Sequence, residues 1–574
     1  MTMKTFRLFS MAALALMMAA CSSEDNALET ASPAMPGKLQ FTATVEAPGT
    51  GATTRTEYKT DTDAESKSII KVAWKENDKI AAIVTNSEGK YVKTELTVSK
   101  VNDDGSATIT GDITKPKDDA LTVDLIYPAD IVTVAADGSD YSISFAKMSD
   151  GTTLDGTLDK IAANIDYRRA DDCPLTVSGD KATLTSAAKL VSKLSIWKLT
   201  LEDFKAGDKL SADKVTIKDG NGVTMVSSAA SGSTVYLPVP AASGIDIAIS
   251  ATKGSDTYYY LKKNVTLAAG KYYESMLKME MPIDLGSSSI SGTEYTVQNG
   301  QVLTGKLANN VNIKIADNAT VLLKDADING DGTWTEGNYA GITCLGDATI
   351  ILEGTNTLKG CNFDQPGISV PSGKTLTIMG SGSLTANSGE NVGTAVAAGI
   401  GGIADGACGD IVIKGGTINA TGGSTGGAGI GSGFGGTCGA ITISGGTVNA
   451  NGGYGSAGIG SGNNTGSSCG AITISGGTVT ANGGGYAAGI GGGYFATYTT
   501  ITISGGTVEA TGGVYAAGIG GSSENGTCGT ITITSGVTSV TATKGNYAPN
   551  SIGAGYNGTA ISVTIEDGAN VIRH

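Results

Sequence analysis

The sequence predicts an all-β chain whose C-terminal half, residues 285–574, winds as a right-handed parallel β-helix behind a stretch of less regular strands. Three observations carry this expectation. A Gly-Ile signal recurs at Ile342, Ile368, Ile400, Ile430, Ile459, Ile490, Ile519 and Ile552, at spacings of 26 to 33 residues. A period of that size means stacked units that bury a shared core between neighbours. Each copy also holds short alternating β-branched runs, such as Ile441-Thr442-Ile443 and Thr447 to Ala450, and no window shows helical spacing. Glycine pairs (Gly445-Gly446, Gly476-Gly477, Gly505-Gly506) separate the runs, where a residue without Cβ turns cheaply. About eight coils result, the first two degenerate. Stacked about 4.8 Å apart, they set each inward Ile on the Ile of the next coil. The hand follows that of parallel crossovers generally. Propeller blades would need four longer strands and a longer period.

Taken from its start, the chain has a basic n-region (Lys4, Arg7), an apolar run from Leu8 to Ala20, and Met18-Ala19-Ala20-Cys21. That is the pattern of a secretory signal over residues 1–20, too short to span a membrane as a mature helix. Cys21 after Ala-Ala resembles a bacterial lipobox, which implies lipidation of Cys21 and an outer-membrane lipoprotein. The acidic Ser22-Ser23-Glu24-Asp25 resembles the export tag of surface lipoproteins, which implies cell-surface exposure, and residues 21–37 read as a tether. With net charge −15 and a single histidine among 574 residues, the chain is too acidic for nucleic acid, whose phosphates demand basic patches.

Residues 38–284 carry strands with irregular turns. Leu39 to Val45 alternates cleanly, Thr54-Arg55-Thr56 follows, and Trp74 stands shortly before Asp78-Lys79-Ile80. This opening resembles that of fimbrillin-type pilins, lipoprotein subunits and adhesins built from two transthyretin-like β-sandwich domains. The resemblance implies sandwiches over 38–180 and 181–284, with the boundary where Pro174 and Gly179-Asp180 punctuate the strands. It also implies pilus subunits as partners. In that family an arginine after the first strand is cut during assembly, and the vacated groove takes a neighbour's strand. Arg55 is the matching position, and an exposed strand-edge arginine is the other reading. A β-helix appendage departs from a plain shaft subunit, so a tip or free-standing adhesin fits better. Val311–Ile315 and Thr320–Lys324 then read as a glycine-poor coil capping the solenoid.

Asp325, Asp327, Asn329, Asp331 and Glu336 match a calcium-loop string at every ligand position. Val321 to Ile328 alternates as a strand, however, and no helices flank it, so a polar strand entering a glycine turn is the favoured reading and calcium the other. No further cofactor is expected. Cys408, Cys438, Cys469 and Cys528 each precede the first Ile of a strand by three residues and should stack as a ladder. Neighbouring Cα atoms would fall within disulfide reach. Cys438 would face two partners, so small buried thiols are expected.

Many parallel β-helices degrade polysaccharides with clustered carboxylates. From residue 395 onward no two coils place acidic residues at the same repeat position to make a pair, and His574 is terminal, so the expectation is no enzyme. Tyr454, Tyr486, Tyr515 and Tyr547 fall four or five residues before the repeat Ile, and Tyr494 and Tyr556 four residues after it. Two aromatic rows beside the glycine corners could stack on sugar rings, with Asn451, Asn463, Asn464 and Asn482 offering hydrogen bonds, or could shield strand edges. The array also resembles glycine-rich β-helix modules of bacterial surface proteins, some carbohydrate-binding, which implies surface binding without assigning residues. The expected function is a non-catalytic adhesin for glycans or for host or bacterial surface molecules. A ligand-free stalk and a polysaccharide-degrading enzyme are the alternatives.

Overall fold

Alternation sets the first sheet. Lys38–Val45 buries Leu39, Phe41, Ala43 and Val45 and turns the residues between them outward. The structure is a computed structural model that describes residues 38–47, 59–62, 68–71, 73–117, 121–307, 311–329, 338–390, 394–498, 500–523, 529–558 and 562–574. Cys21, Arg55, Asp331, Glu336 and Cys528 lie outside the described residues. Lys38–Val45 pairs antiparallel with Ala107–Thr114 and parallel with Lys181–Leu184. The sheet runs on through Tyr91–Val101, Lys79–Thr85, Thr122–Tyr127 and Arg168–Ser178, and Lys181–Leu184 closes it by also pairing with Arg168–Ser178. Inside, Trp74 and Tyr127 meet edge to face at 5.5 Å, and Trp74 Nε1 donates to the Glu46 carbonyl at 2.9 Å.

This topology corrects the expected boundary at 180. Gly179-Asp180 is the two-residue turn of a hairpin within the first sheet, with Gly179 at φ +63°, and Val191–Ser192 is still paired to Arg168–Ser178. Pro174 sits beside a bulge between Ala170 and Cys173, where a missing N–H is tolerated. The second unit starts at Leu194. A three-stranded sheet (Thr234–Pro240, Leu194–Asp203, Tyr272–Met279) packs on a four-stranded one (Thr224–Gly232, Ala212–Asp219, Ala242–Lys253, Asp256–Leu267). Its core, with Trp197, Leu199, Ile217 and Ile249, is continuous with Ile83 and Ile126 of the first sheet through Met148 and Ile161 of two short helical segments.

The solenoid begins at Ile283–Asp284, which pairs parallel with Val302–Lys306. One long sheet collects two strands from most coils. A second takes one strand per coil and has ten members among the described residues, the first two being Glu294–Val297 and Asn312–Ile315. Two glycine-poor turns therefore precede the Gly-Ile coils, where one was expected. Register follows the repeat: Ile342, Ile368, Ile400, Ile430, Ile459, Ile490, Ile519 and Ile552 stack in order. So do Ile411, Ile441, Ile472, Ile501 and Ile531. All are buried in one continuous core.

Solenoid and second sandwich are joined by side chains. Val302, Leu322, Ile351 and Met379 stand in register on successive coils, point out of the solenoid, and pack against Ala248, Tyr259 and Leu261. Glu353 accepts from Lys218 and Lys324, each at 3.1 Å, and Lys324 also donates to the Tyr259 hydroxyl at 2.7 Å. A Cβ on Gly222 would lie 2.7 Å from the Ser381 nitrogen, so the turn there must be glycine.

Candidate binding surface

The two aromatic rows expected from sequence form one ridge, and the backbone shows why. From Ile430 onward, the residue four places after the repeat Ile donates its N–H to the residue four places before the Ile of the preceding coil. The bonds are Phe434 to Val396 (2.9 Å), Asn463 to Gly426 (3.0 Å), Tyr494 to Gly455 (2.7 Å), Ser523 to Tyr486 (3.2 Å) and Tyr556 to Tyr515 (2.8 Å). Each bond ties the exit of one corner to the entry of the corner before it, so side chains at both offsets share a surface.

All six expected tyrosines meet there. Tyr454 and Tyr486 are edge to face at 5.3 Å, Tyr486 and Tyr515 are parallel at 5.2 Å, and Tyr515 and Tyr547 lie at 5.0 Å, tilted by 19°. Tyr494 joins Tyr486 at 5.0 Å, and Tyr556 joins Tyr515 at 5.8 Å. Phe495, next to Tyr494 at 4.1 Å, is an addition the repeat pattern does not announce. The spacing is close to one coil rise, so the ladder repeats with the backbone. Tyr454, Tyr547 and Tyr556 remain 59%, 62% and 42% exposed.

The ring orientation corrects one expectation. The middle rings turn their faces toward one another along the solenoid, so they offer solvent their edges and hydroxyls. Broad open faces belong to the outer rings. The hydrogen bond to Tyr486 holds the Tyr454 phenol above its ordinary range. Glycine makes room for these rings, since a Cβ on Gly485 would touch the Tyr454 ring at 3.2 Å and one on Gly426 would sit 2.6 Å from the Phe434 ring. Of the asparagines, Asn482 donates to Asn451 at 2.9 Å, so these two are engaged with each other in a neighbouring row. Asn463 lies against Gly455 within the ridge.

The other sequence candidates have local partners. Asp325, at φ +52°, is the bulged residue of Ala319–Ile328, and its carboxylate accepts from the Thr355 N–H of the next coil at 2.9 Å. Asp327 accepts from the Asn329 N–H at 3.1 Å and faces Lys306 at 4.0 Å. Each of the two therefore caps backbone. Asp317, Asp347 and Asp410 likewise accept from the Asp347, Thr375 and Ala440 N–H groups one coil on, at 2.7–2.8 Å. The cysteine row is present, but Cys408 and Cys438 are joined in a disulfide with Cα atoms 4.5 Å apart, where free thiols were expected. Cys469 stays a buried thiol, held up to about 12 by burial, and Tyr498 takes the following place in register.

A family model described as Beta helix repeat matches residues 411–434, 441–463, 472–494 and 501–523. No curated protein matches the chain. Solved structures with similarity include a fimbrial protein from Bacteroides ovatus, at 12% identity and TM-score 0.22, covering 44% of this chain and 50% of that one. A fimbrial assembly protein from Parabacteroides distasonis is 12% identical with TM-score 0.21, over 44% of this chain and 92% of the other. A shaft pilin from Lactobacillus rhamnosus is 10% identical with TM-score 0.19, over 43% and 97%. This chain thus spans half the length of the Bacteroides ovatus protein. Each matched repeat starts on the first inward Ile of a coil and ends on the residue whose N–H stitches the ridge, so the family's unit includes the corner that carries the tyrosines.

Proposed function

We propose that the protein is a non-catalytic surface adhesin whose β-helix presents the tyrosine ridge to glycans on host or bacterial surfaces. The single observation that carries this reading is the ridge: six tyrosines converge on one side of a solenoid in a chain only 5% aromatic. Exposed aromatic clusters of this kind mark interaction sites. Tyrosine supplies contact area at low entropic cost, and the open faces of Tyr454 and Tyr547 suit the C–H face of a sugar. Repetition lets weak contacts add by avidity. The non-catalytic reading is supported by the solenoid's aspartates, since Asp317, Asp325, Asp347 and Asp410 cap backbone N–H groups of the next coil. Anchoring through lipidated Cys21 would place the ridge outside the outer membrane.

The test is binding of the full chain to an array of glycans and to host and bacterial cells, beside a folded variant with Tyr454, Tyr486 and Tyr515 changed to Ala. Binding by the parent and loss in the variant is the expected result. Equal binding by both would move the site off the ridge, and silence from both would leave a stalk.

A second reading concerns assembly into pili. Lys38–Val45 lies between two partners and places four buried side chains in the first core. Cleavage at Arg55 and departure of this strand would open an apolar groove for a strand of another subunit. Trypsin treatment followed by sizing of the products tests it: cutting at Arg55 with formation of higher oligomers is expected, and a cut chain that stays monomeric contradicts it.

A further inference from the structure

Three cysteines follow one another up one row of the solenoid, and two of them are joined. Cys408 and Cys438 share a disulfide, and Cys469 is a thiol. All three are buried and belong to the solenoid core. Tyr498 takes the next place in register and closes the row.

The unbonded pair repeats the surroundings of the bonded one. Each cysteine is followed by glycine, one further residue and an inward Ile, which is Ile411, Ile441 or Ile472. The Gly439 N–H donates to the Cys408 carbonyl at 3.1 Å, and the Gly470 N–H to the Cys438 carbonyl at 3.0 Å. The Cys438 sulfur lies 3.5 Å from the Gly409 carbonyl oxygen, and the Cys469 sulfur 3.8 Å from that of Gly439. Each sulfur therefore leans toward the residue after its neighbour in the coil before. Thr437–Cys438 and Ser468–Cys469 also pair in parallel, with Cys438 directly opposite Cys469. In-register parallel neighbours stand about 4.8 Å apart, inside the Cα window of a disulfide. Cys408 and Cys438 are bonded at 4.5 Å.

Cys469 thus stands to Cys438 as Cys438 stands to Cys408. We infer that the row is a movable clamp, in which one disulfide exchanges between two rungs. The Cys469 thiol gives up its proton, and its sulfur attacks the Cys438 sulfur. A Cys438–Cys469 bond forms, the Cys408–Cys438 bond breaks, and the departing Cys408 sulfur takes up a proton. One disulfide and one thiol stand on each side, so no oxidant or reductant is consumed. Burial holds Cys469 protonated, so exchange is slow and waits on local opening of the coil. The Tyr454 corner lies between Cys438 and Cys469 in the chain, so the shift closes a loop around the coil that carries this ring. The inference does not rest on the adhesin reading.

The test maps disulfides in the full chain after equilibration in an oxidising glutathione buffer. Thiols are blocked with N-ethylmaleimide, and the unreduced protein is digested with chymotrypsin for mass spectrometry. Cleavage after Phe434 and Tyr454 separates the three cysteines. The parent is expected to yield both the Cys408–Cys438 and the Cys438–Cys469 peptide pairs, within about tenfold of each other, because the two rungs have matching surroundings. Cys408→Ser should convert the protein to the Cys438–Cys469 bond, and Cys469→Ser should hold it at Cys408–Cys438. Amide hydrogen exchange over 441–451 should be slower in the first variant than in the second, since only there does the disulfide close that coil. The parent measurement needs no substitution, so it stands even where a variant fails to fold. The inference is overturned if the equilibrated parent holds Cys408–Cys438 alone, or if Cys408→Ser leaves Cys438 and Cys469 as thiols. Pairing of Cys469 with any other cysteine, or equal exchange over 441–451 in the two variants, overturns it as well.

Discussion

The solenoid and the second sandwich both enclose apolar cores, and they specify them differently. In the solenoid, Ile411, Ile441, Ile472, Ile501 and Ile531 occupy one equivalent site repeated by register. In the sandwich, Trp197, Leu199, Ile217 and Val226 each meet a different set of neighbours. A repeated core constrains only the inward positions and leaves the outward ones free. The protein uses that freedom twice: apolar outward residues on the early coils dock the sandwich, and tyrosines on the late coils build the ridge.

The comparison predicts where substitutions hurt most. The largest effect is expected at a glycine of the stack. Gly431 has φ +140°, and a Cβ there would lie 1.8 Å from the Gly460 carbonyl oxygen. Gly431→Ala should cost more than about 4 kcal/mol and lower the solenoid's unfolding midpoint in urea followed by circular dichroism. A small effect would mean the coils are looser than drawn. Next come inward isoleucines. Ile441→Ala, Ile472→Ala and Ile501→Ala should each cost about 2–5 kcal/mol and agree with one another closely. Ile196→Ala and Leu199→Ala in the sandwich should differ, because their surroundings do. A wide spread within the solenoid set would break the contrast.

The joint is expected to contribute less. Burial pushes the Glu353 carboxyl up, but Lys218 and Lys324 together outweigh that and leave it below its ordinary 4.5. A depressed carboxylate stabilises the fold above that value and loses its contribution as pH falls through the folded pKa. Glu353→Gln should therefore cost about 1–2 kcal/mol at neutral pH, reduced by partial solvent screening, and next to nothing well below pH 4.5. Calorimetry at the two pH values checks this, and an equal loss at both contradicts it. The smallest effect on stability is expected on the ridge. Tyr486→Ala removes ring contacts at a half-exposed site and should cost about 1 kcal/mol. A cost as large as that of an inward isoleucine would make the tyrosines packing elements.

What could be read from the sequence follows the same division. The coil register was legible because Ile-Thr-Ile alternation and the Gly-Ile period state it repeatedly. The ridge was half legible: spacing gave the six tyrosines, but their merger depends on N–H bonds between coils, which no spacing displays. Phe495 falls outside the repeat and had no signal. The docking stripe did have one. The position after the second inward residue holds Leu322, Ile351 and Met379 in early coils, against Lys414, Ser444 and Ser475 later. An outward apolar residue in an otherwise alternating coil announces a partner. The first domain's end was misplaced because Pro174 and Gly179-Asp180 mark a bulge and a hairpin turn, and the same residue types mark linkers. The cysteine row was legible as a ladder, while the pairing of Cys408 with Cys438 depends on side-chain geometry.

Footprinting of the tyrosines tests the central claim most directly. The full chain would be nitrated with tetranitromethane, free and after saturation with a glycan or cell surface it binds, and the modified residues mapped by mass spectrometry. The ridge reading predicts that Tyr547 and Tyr556 react readily in the free protein and Tyr454 more slowly, since the hydrogen bond to Tyr486 keeps its phenol protonated, and that all three are protected together in the bound one, while the sandwich tyrosines react alike in both. Bound protein in which these three react as fast as before would contradict it and move the binding surface elsewhere.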